Sequence, residues 1–519
     1  MDNKTLLAII LSIAVIIGYQ YFAPKYQPPV PQSRPPAATK EEPLKTVTPP
    51  GVTETAPETT STEEKEIRVE NDLYAGVLTS RGGTIKYWEI KAYKDKMGKD
   101  VILLKKPGPL PALGIGSNTD FDLSSVNFTV SGGDLSLEGP GKSGSVVFEF
   151  YGDGRSVKRT YTFYSDSYVV DIADEVSGLS DYWITVGSDL GIYDREASYT
   201  HVGPVLLKGT DLEELKPKKL KEANTFKDSL KWIAQEDKYF FAALVPLTPV
   251  DEARAWVYRD SPVIAFKAKP AVNRFSFYAG PKEHDQLVKL NHGLEYIINF
   301  GFFSIIARPL FWILKFFHRF LGNYGLAIIF LTIVVRIPFI PLVSKGQKSM
   351  KKLQEIQPKM NEIKEKYKKD PQKMQAEMME LYKKNKVNPM GGCLPMLLQI
   401  PVFFALYKVL LVSIELRGAP FILWIADLSA PDTLFGHIGG FSLGGPLPYL
   451  MGITMLIQQK MTPSSMDPRQ AKMMLLMPII FTFMFLNFAS GLVLYWLVNN
   501  VLSIIQQFYI NRKLSKQPA

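Results

Sequence analysis

The stretch GNYGLAIIFLTIVVRIPFIPLV, residues 322–343, decides the fold of this chain. It carries one charged residue, Arg336. At about 1.5 Å per residue, a helix of this length can cross a hydrocarbon core of about 30 Å. The stretch therefore predicts a membrane-spanning helix. Arg336 comes about 21 Å along that helix from Gly322. This is past the membrane midplane, where a cation is costly unless water or a polar partner surrounds it.

Further apolar segments predict a polytopic α-helical membrane protein. Residues 391–415, 472–489 and 490–510 are strong candidate spans, and residues 446–460 form a shorter one. Residues 5–23 are uncharged and lack a small-x-small cleavage site, so we expect an uncleaved anchor rather than a signal peptide. With residues 321–343, the expected total is six transmembrane helices.

Residues 302–320 are apolar as well, but the sequence predicts that they lie along the membrane surface. Ser304, Arg308, Lys315 and Arg319 recur at spacings that place them on one face of a helix. Aromatic and aliphatic residues fill the other face, which is typical of an amphipathic helix in the membrane interface. We therefore expect a connecting and interfacial segment at residues 286–320.

The distribution of lysine predicts the orientation. Between residues 344 and 389 the sequence has thirteen Lys residues against six Asp and Glu residues, and short Lys-rich loops stay in the cytoplasm. Both termini are therefore expected in the cytoplasm. The surplus of 60 Lys and Arg over 50 Asp and Glu in the whole chain is then mainly a topology signal. No DNA binding is expected, although the basic segments could contact ribosomal RNA.

The spans divide the rest of the chain between the two sides of the membrane. The expected parts are an anchor at 1–23, a spacer at 24–66, an outside domain at 67–285, an outside loop at 416–445, and cytoplasmic parts at 344–390, 461–471 and 511–519. Within 344–390, apolar residues at spacings of three and four predict helices. A kink is expected at Pro358 and a new helix at Asp370-Pro371, where Asp is a suitable cap. The prediction for this segment is a cytoplasmic helical hairpin.

The outside domain is predicted to be a large β-sandwich. Residues 24–66 contain ten prolines and are typical of a disordered spacer. Beyond them, alternating apolar residues at 146–151 and 155–164, and again at 73–78 and 84–90, predict pairs of strands around Gly-containing turns. Residues 282–298 are expected to be helical and to lead to the membrane.

The sequence has no motif that favours an enzyme. The stretch GPGKS at 139–143 lacks the first glycine of a phosphate-binding loop and is expected to be a hairpin turn. Nucleophile-elbow, zinc-protease and dinucleotide-binding motifs are missing from the sequence. A single Cys and five scattered His residues argue against a metal site. We therefore expect no catalytic residue, no cofactor and no metal.

Polar residues recur in the predicted spans near Arg336. Thr332 lies one helical turn before it, and Gln399 lies inside the span 391–415. The last span has a polar stripe at helical spacing, which comprises Trp496, Asn499, Asn500, Ser503, Gln506 and Gln507. Such stripes can simply join helices through hydrogen bonds. Because the interiors of the spans contain no Asp or Glu to pair with Arg336, a hydrated pocket open to the cytoplasm is the favoured interpretation.

Several motifs resemble those of the YidC family, the membrane protein insertases of Gram-negative bacteria. They are GNYG at 322–325, IVVR at 333–336, KVNPMGGC at 386–393, PVFFALY at 401–407, ELRGAPF at 415–421, LWIADLS at 423–429 and SGLVLY at 490–495. The resemblance covers the whole chain. It implies a five-helix insertase core and a periplasmic β-supersandwich domain. It also implies a groove that is open to cytoplasm and lipid but closed to the periplasm.

The resemblance also implies residues of a client-binding groove. Arg336 corresponds to the family's groove arginine and Thr332 to a client-contacting threonine. Trp496 corresponds to the second residue of a Tyr-Tyr pair, beside Tyr495. Trp keeps a flat aromatic ring but changes the hydrogen-bonding group. The remaining candidates for the groove, taken from the polar pattern, are Gln399, Asn499 and Ser503.

The implied function is the insertion and folding of integral membrane proteins in the bacterial inner membrane, alone or with the Sec translocon (SecYEG and SecDF). Nascent membrane proteins, the ribosome and the lipid bilayer are the other expected partners, with the signal recognition particle receptor as a further candidate. The alternatives are a small-solute transporter and an envelope enzyme carried by the β domain. Transporters commonly have internal repeats, and none is visible in the sequence.

Overall fold

The structure is a computed structural model that describes residues 63–95, 98–105, 108–188, 190, 200–216, 220, 222–385, 387, 394–439, 441–461 and 468–514. The predicted N-terminal anchor and the spacer up to residue 62 lie outside the described residues. So do residues 388–393 of the KVNPMGGC motif, residues 462–467 and the end of the basic tail. The structure therefore does not test the predictions made for these segments.

A β-rich domain precedes residue 282. Its strands are β1 (Glu66–Asn71), β2 (Tyr74–Thr79), β3 (Thr84–Lys94), β4 (Asp100–Leu104), β5 (Ile115–Gly116), β6 (Thr129–Ser131), β7 (Leu135–Leu137), β8 (Ser143–Gly152), β9 (Arg155–Tyr164), β10 (Val169–Ser177), β11 (Tyr182–Thr185), β12 (Gly203–Lys208), β13 (Asp211–Glu214), β14 (Asn224–Phe226), β15 (Leu230–Glu236), β16 (Phe240–Pro246), β17 (Glu252–Tyr258), β18 (Ser261–Ala268) and β19 (Val272–Pro281).

These strands form three sheets. The largest has the order β13-β12-β15-β16-β19-β10-β9-β8-β6, and two five-stranded sheets have the orders β4-β3-β2-β1-β7 and β14-β17-β18-β11-β5. Trp88 of β3 lies against Phe277 of β19, with ring centroids 6.4 Å apart and the rings nearly perpendicular. Two of the sheets therefore pack face to face around a shared apolar core, in agreement with the predicted sandwich.

The predicted strand pairs are confirmed. β8 and β9 pair antiparallel up to Gly152 and Arg155, which leaves the two-residue loop Asp153-Gly154. Both loop residues have positive φ, 54° and 71°, as a tight hairpin turn of this length requires. Alternate residues of β8 point into the core, because successive side chains of a strand face opposite sides of the sheet. The strands β2 and β3 pair in the same way around Gly82-Gly83.

Two local predictions in this region are wrong. The GPGKS stretch connects β7 to β8, which belong to different sheets, so it is a connection between layers and not a hairpin turn. Residues 282–298 are not one helix but a short helix α1 (His284–Lys289) and a 3-10 turn (Leu294–Ile297). Asn291 and Gly293, between these two elements, have φ values of 55° and 71°. That left-handed conformation interrupts an α-helix.

The helical region follows. Its helices are α2 (Ser304–Leu321), α3 (Tyr324–Arg336), α4 (Ile340–Glu355), α5 (Gln357–Lys366), α6 (Pro371–Lys384), α7 (Leu394–Val412), α8 (Pro446–Met461), α9 (Pro468–Phe485) and α10 (Ser490–Leu514). The 3-10 turn Ile337–Phe339 joins α3 directly to α4, and a two-stranded hairpin, β20 (His437–Ile438) and β21 (Phe441–Ser442), lies between α7 and α8.

Within the described residues, three helical stretches are long and apolar enough to cross a membrane by length and composition. They are Gly301–Leu321, Tyr324–Glu355 and Ser490–Arg512, and Gln399–Val412 and Met474–Phe485 are shorter apolar helices. The second stretch continues past residue 343, where the sequence predicted the end of the span. Pro338 and Pro341 lie in first-turn positions, where proline does not interrupt helical hydrogen bonding. The total of six spans stays a prediction.

The helix α2 has two different faces. Phe311 and Leu314 are buried, whereas Ile305 and Trp312 are 86% and 67% exposed. Lys315 forms an ion pair with Asp285 of α1, so the polar side of α2 is tied to the end of the β domain. This division of faces agrees with an amphipathic helix. Its place in the membrane interface stays a prediction, since its length and composition would also permit a span.

The kink and the cap predicted in the Lys-rich segment are confirmed. α4 ends at Glu355, and Pro358 lies in the first turn of α5. Asp370 caps α6 by accepting a hydrogen bond from the backbone N–H of Lys373 at 3.1 Å, and Pro371 is the first helical residue. A small apolar cluster joins this segment and consists of Met350, Leu353, Ile356, Met360, Met378, Leu381, Tyr382 and Val387. The cytoplasmic location of the segment stays a prediction.

Candidate functional site

Arg336 ends α3 and reaches across to α10. Its Nη1 donates to the backbone oxygen of Asn499 at 3.1 Å and to the Oδ1 of the same residue at 2.6 Å. Its Nη2 donates to Ser503 Oγ at 2.8 Å and to Gln506 Oε1 at 3.2 Å. Residues 499, 503 and 506 follow one face of a helix, because they are four and three positions apart. One face of α10 therefore holds the guanidinium.

The third helix of the site is α7. Gln399 Nε2 donates to Asn499 Oδ1 at 2.9 Å, so this oxygen accepts hydrogen bonds from both Gln399 and Arg336. An amide oxygen has two lone pairs and can serve both donors. Asn499 thus links α3, α7 and α10 at one point.

Neutral groups surround the charge of Arg336. Its partners are an amide, a hydroxyl, a second amide and a backbone carbonyl. Among the described residues, no carboxylate lies within ion-pair distance of the guanidinium. Hydrogen bonds to neutral dipoles offset part of the cost of moving the cation out of water, but they leave its net charge in place. The site therefore has a positive potential that an acidic group could neutralise.

A small cavity lies beside Arg336. It is lined by Thr332, Val335, Arg336, Phe339, Val343, Gln399, Val402, Tyr495 and Asn499, and its volume is about 30 Å³. A space of that size holds about one or two water molecules. Thr332 is almost fully buried and donates its hydroxyl to the carbonyl of Ile328 at 2.6 Å, which leaves its oxygen free to accept a further hydrogen bond.

The structure brings together most of the site residues proposed from the sequence. Thr332, Arg336, Gln399, Tyr495 and Asn499 line the cavity, and the sixth candidate, Ser503, contacts the guanidinium.

Trp496, the seventh candidate, is placed elsewhere. Its ring packs among Phe403, Phe481 and Phe485, with centroid distances of 4.9, 5.8 and 5.2 Å, and it does not line the cavity. Its role in contacting clients stays a prediction.

Sequence reasoning did not assign some residues of this site. Gln506 belongs to the polar stripe, but only the structure places its side chain on Arg336. Val335, Phe339, Val343 and Val402 line the cavity, and apolar residues in an apolar span give no sequence signal of such a role. Within the described ranges, no three His, Cys, Asp or Glu side chains are grouped so that they could hold a metal ion.

Comparison with known proteins identifies the family. The family model of the 60Kd inner membrane protein matches residues 316–517, and that of the YidC periplasmic domain matches residues 66–313. The membrane protein insertase YidC of Pelobacter propionicus is 41% identical over 99% of this chain and 99% of its own length. The corresponding protein of Geotalea daltonii is 39% identical over 99% of this chain and 100% of its own length.

This chain belongs to the YidC family. It is therefore a membrane protein insertase and not an enzyme, and its β-rich domain is the YidC periplasmic domain. A crystal structure of an active YidC insertase with its first transmembrane domain resolved is also similar. It has 20% sequence identity and a TM-score of 0.40, and the match covers 86% of this chain and 93% of that one.

Proposed function

We propose that this YidC insertase receives the hydrophilic flank of a client protein at Arg336, while the client's apolar segment leaves into the lipid along α7 and α9. The observation that carries the proposal is that Arg336 lies within an apolar helical stretch long enough to span a membrane and is held there by neutral acceptors. A cation so placed is costly in a membrane protein and usually functional.

Opening of the contact between α3 and α10 is part of the proposal. A cavity of about 30 Å³ admits water but not a polypeptide. The hydrogen bonds of Arg336 to Ser503 and Gln506 would be exchanged for bonds to the client. A client carboxylate is favoured in this exchange, because its full negative charge attracts the guanidinium and its two oxygens can bond both Nη atoms at once.

The driving force would be the transfer of the client's apolar segment from water into lipid. The membrane potential would add about 2.3 kcal/mol per charge per 100 mV for an acidic tail that crosses the membrane. In this scheme the groove is open to the cytoplasm, both termini and the α5–α6 hairpin are cytoplasmic, and six helices span the inner membrane. The Sec translocon, the ribosome and the signal recognition particle receptor are the proposed partners beyond the clients themselves.

Two substitutions at Arg336 test the proposal. Arg336→Lys keeps the charge and is expected to retain much of the insertion activity. Arg336→Ala removes the charge and is expected to impair a client with an acidic translocated tail more than a matched client with a neutral tail, which gains little from the Coulomb attraction. The measurement is protease protection of the client pair in cells depleted of the native insertase. Equal defects for the two clients would show that Arg336 has a structural role instead.

A further inference from the structure

The segment between α7 and α8 exposes an apolar surface near its hairpin. Leu434 and Phe435 are 56% and 52% exposed, and Ile438 and Phe441 of the two short strands are 67% and 61% exposed. The sequence from Thr433 to Gln459 contains no Asp, Glu, Lys or Arg. A loop in water seldom exposes several large apolar side chains together, and such a patch usually marks an interaction surface.

The base of this hairpin is held firmly. The backbone N–H of Phe435 donates to Gly444 O and that of Leu443 donates to Gly436 O, both at 2.9 Å. Just before this base, Asp432 is 6% exposed, and its carboxylate accepts hydrogen bonds from the N–H of Leu447 at 3.0 Å and from Trp424 Nε1 at 3.1 Å. The apolar side chains are therefore presented by an ordered element whose backbone groups near the base are paired.

The hairpin lies at the periplasmic end of the helices. The chain just before it is bonded to the start of α10, where the N–H of Ser490 donates to Ala430 O at 2.8 Å. Slightly earlier, the guanidinium of Arg417 lies 5.3 Å from the ring centroid of Phe240 in the periplasmic domain. The exposed patch thus lies at the end of the helices that adjoins the periplasmic domain.

The apolar patch continues onto a helix. Phe435 and Leu443 of the loop line one apolar groove together with Pro446, Tyr449, Leu450 and Ile453 of α8. Further along α8, Ile453 and Ile457 are 53% and 44% exposed. An apolar helix of a membrane protein has such side chains on the face that meets lipid. The hairpin surface is therefore continuous with a surface that meets acyl chains.

We propose that residues 433–439 and 441–445 are immersed in the periplasmic leaflet of the membrane and that lipid acyl chains and headgroups cover their apolar side chains. This assigns a lipid-contact surface that goes beyond the insertion activity. The segment contains no Asp, Glu, Lys or Arg to desolvate, and its one titratable side chain is the exposed His437. The paired backbone at its base suits the interface. Protein–protein contacts commonly have a polar rim, and this segment supplies no Asp, Glu, Lys or Arg for one. An interfacial segment of this kind lies about 5–10 Å deep at the boundary of headgroups and acyl chains.

Fluorescence in a bilayer tests this placement. In a Cys393→Ser background, Ile438→Cys is labelled with the environment-sensitive dye NBD, and the full chain is placed in nanodiscs of phosphatidylethanolamine and phosphatidylglycerol. Tyr151→Cys, at an exposed site in the periplasmic domain (41%), is the aqueous control, and Phe483→Cys, at an exposed site on α9 (60%), is the lipid control. Phe441→Cys provides a second site in case the first variant does not fold.

The expected result is that the dye at position 438 emits at a shorter wavelength than the dye at position 151. Iodide in the water should quench it little, and a lipid that carries a doxyl group near its headgroup should quench it strongly. Emission and iodide quenching equal to those at position 151 would overturn the proposal and would leave the patch as a surface for a protein partner. The insertion activity of each labelled variant is measured separately, so that a wrong placement of the hairpin and a wrong account of Arg336 give different results.

Discussion

Asn499 is the residue on which the geometry around Arg336 depends. Its side-chain oxygen accepts hydrogen bonds from Arg336 and from Gln399, and its backbone oxygen accepts another from Arg336. A neutral amide at this point fixes the direction of the guanidinium without cancelling its charge. A carboxylate of the same shape would keep the hydrogen bonds and remove the positive potential.

The substitution Asn499→Asp should therefore keep the Arg336 guanidinium in place while cancelling its positive charge. At about 4 Å and an effective dielectric constant near 20, two unit charges interact by about 4 kcal/mol, enough to neutralise Arg336 locally. We expect a marked loss of insertion for a client with an acidic tail and little loss for a matched client with a neutral tail, measured by protease protection.

Asn499→Ala is the control, because it removes the side-chain hydrogen bonds of Asn499 to Arg336 and Gln399 without adding a negative charge. It should affect the two clients to similar extents. If Asn499→Asp also affected both clients alike, the charge of Arg336 would not be what the client senses.

Tyr495 and Trp496 are adjacent on α10 but have different surroundings. Tyr495 lines the cavity, while the next residue, Trp496, packs edge-on to Phe403 at 4.9 Å. Successive residues of an α-helix are rotated by about 100°, so the two rings point in different directions. The aromatic cluster around Trp496 links α7, α9 and α10 by packing, which is the main source of helix association in lipid.

At the scale of elements, α10 divides its polar residues between two partners. One row, at 499, 503 and 506, holds Arg336. Asn500 instead donates to Met451 O at 3.4 Å and to Thr454 Oγ1 at 3.3 Å on α8. The stripe seen in the sequence therefore combines a face that holds Arg336 with a face that bonds to α8, and the proposed client-binding role concerns the first face alone.

The cap of α6 provides a prediction for the Lys-rich segment. Asp370 accepts from the N–H of Lys373, and loss of such a cap costs about 1 kcal/mol. Asp370→Ala should therefore speed hydrogen exchange of the backbone amides in the first turn of α6, measured by mass spectrometry on the full chain. Lys369→Ala, at an exposed neighbouring residue, should leave that exchange unchanged. Equal protection in the two variants would mean that packing and not the cap holds this turn.

At the scale of the whole molecule, the periplasmic domain and the helices share contacts. The guanidinium of Arg417, just after α7, lies 5.7 Å from the ring centroid of Tyr239 and 5.3 Å from that of Phe240. Nearby, Lys282 Nζ lies 2.5 Å from Glu236 Oε2 in a buried ion pair. Burial raises the pKa of Glu236 to about 7 although Lys282 favours its charged form. The end of the domain that faces the helices is therefore polar, buried and firmly connected.

The orientation of the molecule is tested by single-cysteine labelling in the Cys393→Ser background. Met360 and Phe150 are both buried, so exposed neighbours are the suitable positions. Lys359→Cys should react with a membrane-impermeant maleimide only when the cytoplasmic side is opened, and Tyr151→Cys should react in intact spheroplasts. The expectation follows from the excess of Lys in the segment 344–390. The reverse pattern would exclude the proposed topology.

The sequence by itself determined the features that depend on local pattern. Uncharged runs predicted apolar helices such as Ser490–Leu514, alternation predicted the β8–β9 pair, and Asp370-Pro371 predicted the start of α6. Each of these rests on residues close together in the chain, so the physics that forms the element is readable from its own segment. The position of Arg336 in its span also predicts its depth in the membrane, and the sequence shows that the interiors of the predicted spans contain no Asp or Glu to pair with it.

Only the tertiary structure decided which side chains meet. In the structure, Gln506 accepts a hydrogen bond from Arg336, and Trp496 packs in an aromatic cluster away from the cavity. Residues 282–298 form two short elements and not the single helix that was predicted. The structure also showed that the chain after Asp432 forms a short hairpin with exposed Ile438 and Phe441. The reason is physical: the rotation of a helix about its axis and the path of a loop are set by packing against segments far away in sequence, and a segment's own pattern contains no record of those partners.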